Sequence, residues 1–115
     1  MDTERLRINK PANPGANATV TLYDDTTIGS DDVTHRSRVE IELYSDVVVT
    51  IVHQWSDTPT GTLRQVSSTA TTANTLYDAR PRLRVGFNKI TAVTTTAPTV
   101  WQIAVGTNSN PVADA

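Results

Sequence analysis

The stretch Arg38-Val39-Glu40-Ile41-Glu42-Leu43-Tyr44 decides how the rest of the chain is read. Successive side chains on a pleated strand point to opposite faces, so the alternation puts Val39, Ile41 and Leu43 on one side and Arg38, Glu40 and Glu42 on the other. One face can enter an apolar core while the other meets water, the pattern of a half-buried antiparallel strand. Downstream, Ser45-Asp46 supplies a turn, and Val47 to Trp55 is a nearly continuous apolar run that predicts a central strand covered on both faces. Ser56-Asp57-Thr58-Pro59-Thr60-Gly61 is dense in turn formers and reads as a loop. Upstream, Thr19 to Tyr23 alternates Val20 and Leu22 against threonines as a first core strand, and Asp24 to His35 reads as a polar loop.

Farther out the pattern repeats. Thr62 to Val66 predicts a strand, and the threonine-rich stretch Ser67 to Thr75 reads as either loop or weak edge strand. Arg82-Leu83-Arg84-Val85-Gly86-Phe87 alternates again, Asn88-Lys89 predicts a tight connection, and Ile90 to Val93 returns antiparallel to complete a hairpin. Val100 to Val105, with Trp101, Ile103 and Val105 on one face, is the last strand. Roughly seven or eight short strands joined by polar turns define an all-β chain, an antiparallel β-sandwich or jelly roll, with a closed barrel as the rival. Residues 1–16 carry charges, Pro11, Pro14 and Gly15 without sustained periodicity. They predict an extended N-terminal arm, with a short strand at Leu6 to Ile8, that needs a surface to become ordered. The domain itself is expected over 17–106, with a flexible C-terminal tail over 107–115.

Composition bounds the function. The chain has 115 residues, enough for one domain with a single core. Threonine and valine are abundant, and such β-branched residues suit pleated surfaces better than helices. There is no cysteine, so neither a disulfide framework nor a thiolate metal site can form. The formal net charge is −2 and the basic residues are dispersed, which argues against nucleic acid as a partner. No apolar run approaches the ~18 to 20 residues a membrane helix needs, and the N-terminus has no apolar signal region, so a soluble protein made in the cytoplasm and not exported by a classical signal is expected.

The chemical inventory is thin. His53 stands near Ser56 and Asp57, but adjacency in a strand is not a triad, and an ordinary strand histidine is the reading preferred; His35 is the other candidate base. Asp24-Asp25 and Asp31-Asp32 lack the spacing of a calcium loop and suit turns. Glu40 and Glu42 lie on one exposed strand face rather than across a cleft. No phosphate-binding glycine loop is present, and Asn17-Ala18-Thr19 is read as a chance sequon. The expectation is therefore a non-enzyme without cofactor or metal. Trp55, Trp101, Tyr44 and Tyr77 are read as core or interface anchors, with a sugar-stacking platform as the alternative. Arg82 and Arg84 fall on the outer face of a strand and could pair with Glu40 and Glu42, within the domain or on a neighbour. Leu6, Ile8, Pro11, Pro14, Arg82, Arg84, Glu40 and Glu42 are accordingly the candidate partner-binding residues.

The succession from Val47 to Thr62, then a Thr/Ala-rich stretch, then Arg80-Pro81-Arg82-Leu83-Arg84-Val85-Gly86-Phe87-Asn88 and a closing alternating strand, resembles small β-sandwich virion proteins of tailed bacteriophages. The likeness spans about Tyr44 to Val105 and departs from the group's Asp-Gly turn, having Asp57-Thr58-Pro59-Thr60-Gly61 instead. It implies a structural protein of the virion, a capsid decoration or cement protein that bridges neighbouring subunits as a homo-oligomer, with a trimer favoured. The major capsid protein or other virion subunits would be its partners. Alternatives are a head-tail or tail component, and a carbohydrate- or receptor-binding module.

Overall fold

The computed structural model describes residues 5–25 and 36–109. Alternation at Val39, Ile41 and Leu43 does what it predicts: all three are buried, in a strand that runs over Arg36–Ser45. In chain order the strands are β1 (Arg5–Asn9), β2 (Thr19–Asp24), β3 (Arg36–Ser45), β4 (Val49–Ser56), β5 (Arg64–Ala70), β6 (Tyr77–Ala79), β7 (Phe87–Thr94) and β8 (Trp101–Ser109). They make two antiparallel four-stranded sheets, ordered β1-β8-β3-β6 and β2-β7-β4-β5. The pairings β1 with β8, β2 with β7, β3 with β6 and β4 with β5 are nested, as in a long ribbon doubled over and rolled up. That is the strand order of a jelly roll.

The core lies between the sheets. Val39, Ile41, Leu43, Ile103 and Val105 enter it from the first sheet, and Leu22, Val49, Ile51, Ile90 and Ala92 from the second. Each large aliphatic side chain removed from water there stabilises the fold by roughly 1.5–3 kcal/mol. Register fixes the two ends. One end holds the turn from β3 to β4, the connections from β5 to β6 and from β7 to β8, and the linker from β1 to β2; the other holds the connections from β4 to β5 and from β6 to β7. They are called the turn end and the loop end below.

Several expectations are corrected. Asn88 and Lys89 do not turn: both lie within β7, paired with Trp55 and Gln54 of β4, and no hairpin joins residues 82–87 to 90–93. The reason is that Asn88 is buried and its amide is spent on the backbone of Arg84, holding residues 80–86 as an irregular crossing from one sheet to the other. β4 is central but not covered on both faces, since Val49, Ile51 and His53 are buried while Thr50, Val52 and Gln54 are half-buried on the outside. Residues 64–70 form the edge strand β5, almost wholly exposed, which explains why their polar sequence carries no alternation. The arm's strand, β1, is ordered by β8 of its own chain. β8 continues to Ser109, past Gly106, and residues 110–115 lie outside the described residues.

Candidate interaction surfaces

The partner-binding candidates fall into three places. Ile8 of β1 is 61% exposed opposite Gly106, and Leu6 is opposite Asn108, although the side chain of Leu6 lies outside the described residues. Beyond β1 the linker is stapled across the turn end. The Trp101 indole Nε1–H donates to the Pro11 carbonyl at 2.9 Å, Asn13 Nδ2 donates to the Pro98 carbonyl at 2.7 Å, and Thr94 Oγ1 donates to the Gly15 carbonyl at 2.7 Å. Pro11 and Pro14 are both half-buried by this arrangement. Gly15 takes φ +85°, which an L side chain resists.

An open cleft of about 690 Å³ lies on the outer face of the β1-β8-β3-β6 sheet toward the turn end, with Lys10, Glu42, Tyr44, Leu76, Trp101 and Gln102 among its lining residues. Glu42 and Tyr44 alternate with the buried Leu43, and register sets Tyr44 beside Gln102. Of the four aromatic residues singled out in the sequence, Tyr44 and Trp101 therefore share one cleft. Tyr77, like Trp101, packs against the core, and burial raises its phenol above the ordinary value; Trp55 stands at the loop end. The sequence does not bring Leu76 to notice, because its partners are distant in the chain.

At the loop end the Arg80–Gly86 crossing presents Arg82, Arg84 and Val85 to solvent, Val85 being 98% exposed. Arg80 reaches Glu40 at 3.7 Å and also lies 3.9 Å from Asp78; among the described residues neither Arg82 nor Arg84 forms an ion pair with Glu40. Beneath the crossing sits a buried polar cluster. Asn88 Oδ1 accepts from the Arg84 N–H at 2.9 Å and faces His53 Nε2 at the same distance, so that ring nitrogen carries a proton and donates. Asp25 Oδ1 accepts the Asn88 N–H at 2.5 Å, and the Tyr23 hydroxyl donates to Asp25 Oδ2 at 3.1 Å. Burial raises the Asp25 carboxyl above its ordinary range, only partly offset by these bonds. Ser56 Oγ accepts from the Thr58 N–H and Asp57 is exposed, so neither is joined to His53. His35, Asp31 and Asp32 lie outside the described residues.

No family model and no curated protein matches the chain. Solved structures do share its fold. The PBSX exported protein XepA superposes with a TM-score of 0.66 at 14% identity over 91% of this chain, which spans only 37% of the length of XepA. The Bacillus endospore appendages, which form disulfide-linked pili, give 0.62 at 18% identity over 96% of this chain and 90% of theirs. PirA gives 0.54 at 15% identity, covering 90% of this chain and 92% of its own. At such identities the likeness is one of fold.

Proposed function

We propose that this chain is a non-enzymatic structural protein of a phage particle, a decoration or cement protein that bridges neighbouring subunits of the shell. Its partners are the major capsid protein or other virion subunits, and it works as a homo-oligomer, a trimer by preference, on the virion. The observation that supports this reading most is the seat of β1. Five residues of the arm join the sheet by pairing with β8 alone, at the end of a proline-bearing linker. Backbone pairing of this kind is indifferent to which copy supplies the strand, so the same segment can add to a neighbour's sheet edge. Pilus and exported-protein neighbours of the same fold are consistent with an assembling role. Unlike the disulfide-linked pili, this sequence has no cysteine with which to form disulfide ties, and weak contacts gain strength from repetition across a lattice.

The test is deletion of residues 1–16, with circular dichroism to confirm the sandwich, followed by a binding measurement on undecorated shells. Loss of affinity by roughly tenfold or more is expected. Undiminished binding overturns the clamp.

A further inference from the structure

The loop end carries an apolar tip that the fold holds rigid. Val85 is 98% exposed, yet its carbonyl accepts the Trp55 Nε1–H at 2.7 Å. One residue earlier, both backbone groups of Arg84 are bonded to the Asn88 amide, the carbonyl at 3.0 Å and the N–H at 2.9 Å, and Leu83 packs against the core. Gly86 closes the turn at φ +123°, where a Cβ would lie 2.7 Å from Trp55 Nε1. An exposed valine fixed on both sides has already lost its freedom, so binding through it costs little further order. Arg82 and Arg84 flank it, both exposed.

The turn end carries a socket of opposite character. Its cleft is lined by Tyr44, Trp101 and Leu76, the last 58% exposed. Glu42 stands directly opposite Asp78 across the β3–β6 pair, and like charges in that position repel. Arg80 reaches Asp78 and Glu40, but among the described residues no cation is paired with Glu42. Lys10, the cleft's own cation, follows β1 and so lies across β8 from Glu42.

Resting on the reading of the chain as an assembling structural protein, we propose that the Arg80–Gly86 loop of one copy docks into the cleft of a second copy. Val85 enters between Tyr44 and Leu76, and Arg82 and Arg84 face Glu42 and Asp78. Charge complementarity selects a second copy as the occupant: Glu42 and Asp78 stand side by side on one face with Arg80 reaching only Asp78 of the two among the described residues, and the exposed arginines sit on the loop. Because tip and socket lie at opposite ends of the sandwich, the contact is head-to-tail and repeats, giving a ring or a filament rather than a two-fold dimer.

Sedimentation velocity on the full chain, at low and high salt, tests this with two charge reversals, E42R and R82E/R84E, whose exposed sites leave the core intact. Wild type should associate reversibly with concentration, and less so in high salt. Each variant alone should sediment as a monomer, and an equimolar mixture should associate again, because the acidic loop of one then meets the basic cleft of the other. V85S should weaken association roughly tenfold. A wild type with Kd weaker than about 1 mM, association that survives either reversal, or a mixture that stays monomeric overturns the proposal. Association that persists in both variants but vanishes on deleting residues 1–16 assigns the contact to the arm, leaving the structural role intact. A monomeric wild type whose cleft retains glycans on an array, lost in E42R, makes the cleft a saccharide site instead.

Discussion

Asp25 and Asp46 close opposite ends of the same sandwich, and each accepts several hydrogen bonds, yet their carboxyl groups shift in opposite directions. Asp25, at the loop end, is buried beneath β7, and loss of hydration outweighs the bonds from Asn88 and Tyr23, so its proton is held more tightly than usual. Asp46, at the turn end, is solvated. It accepts from the Thr99 hydroxyl, from the Val100 N–H at 3.1 Å and from the Thr99 N–H at 3.0 Å, and these donors favour the anion. The same chemical group is thus a cost of burial at one end and a cap for a turn at the other. At the loop end the carboxylate belongs to a buried polar cluster, whereas at the turn end it lies at the surface.

The difference is broken most directly at Asn88. N88A strands the Nε2–H of buried His53 and both backbone groups of Arg84. A loss of about 3 to 4 kcal/mol in urea unfolding is expected, near the upper end for a single substitution. A loss below about 1 kcal/mol would mean that water replaces the amide, and the contrast between the ends would fall.

Two glycines with positive φ sharpen the comparison at smaller cost. G86A forces a Cβ to within 2.9 Å of the Ser56 carbonyl, besides the Trp55 indole, and should destabilise by about 2 kcal/mol with a red shift of tryptophan emission. Gly15, at the turn end, also has positive φ but nothing within 4 Å of an added Cβ, so G15A should cost about 1 kcal/mol from the backbone alone. Equal costs would show that crowding at the loop end plays no part.

These contrasts also mark what a sequence can carry. β3 was legible because its two faces meet different media, and the same holds for Ile103 and Val105 in β8. β5 is legible only in part, as a strand over Thr62 to Val66 with loop or weak edge strand after it, because an exposed edge strand has no buried face to impose a period and fix its bounds. β6 is three residues long, below the length at which alternation can be seen. Residues 82–88 mislead for a physical reason: Gly86 and Asn88 are turn formers in isolation, and only the distant Trp55, His53 and Asp25 decide that Asn88 belongs inside a strand. The candidate surfaces were legible in part. Arg82, Arg84 and Glu42 were seen as exposed charge, but their placement at opposite ends depends on strand order, which residue patterns do not encode.

The pH dependence of D25N and D46N separates the two ends with the smallest effects. A native carboxyl with a raised pKa supports stability below the unfolded value, near 3.8, and loses that support as pH rises through the native value. Wild type should therefore fall relative to D25N on going from strongly acidic toward neutral solution. Asp46 works in the reverse sense: its native pKa lies below 3.8, so its support is present above that value and is lost as pH drops through the native one. Wild type should gain on D46N as pH rises over the acidic range, and the gap should stay constant toward neutrality. Because Asp46 is solvated, that gap is expected to be slight and to shrink in high salt, while the D25N profile, set by burial, holds its slope. Thermal melts of both variants across the acidic range read the two slopes directly. Slopes of the same sign would mean that solvation does not distinguish the ends, and the hydrogen bonds to Asp25 would then have to dominate its burial.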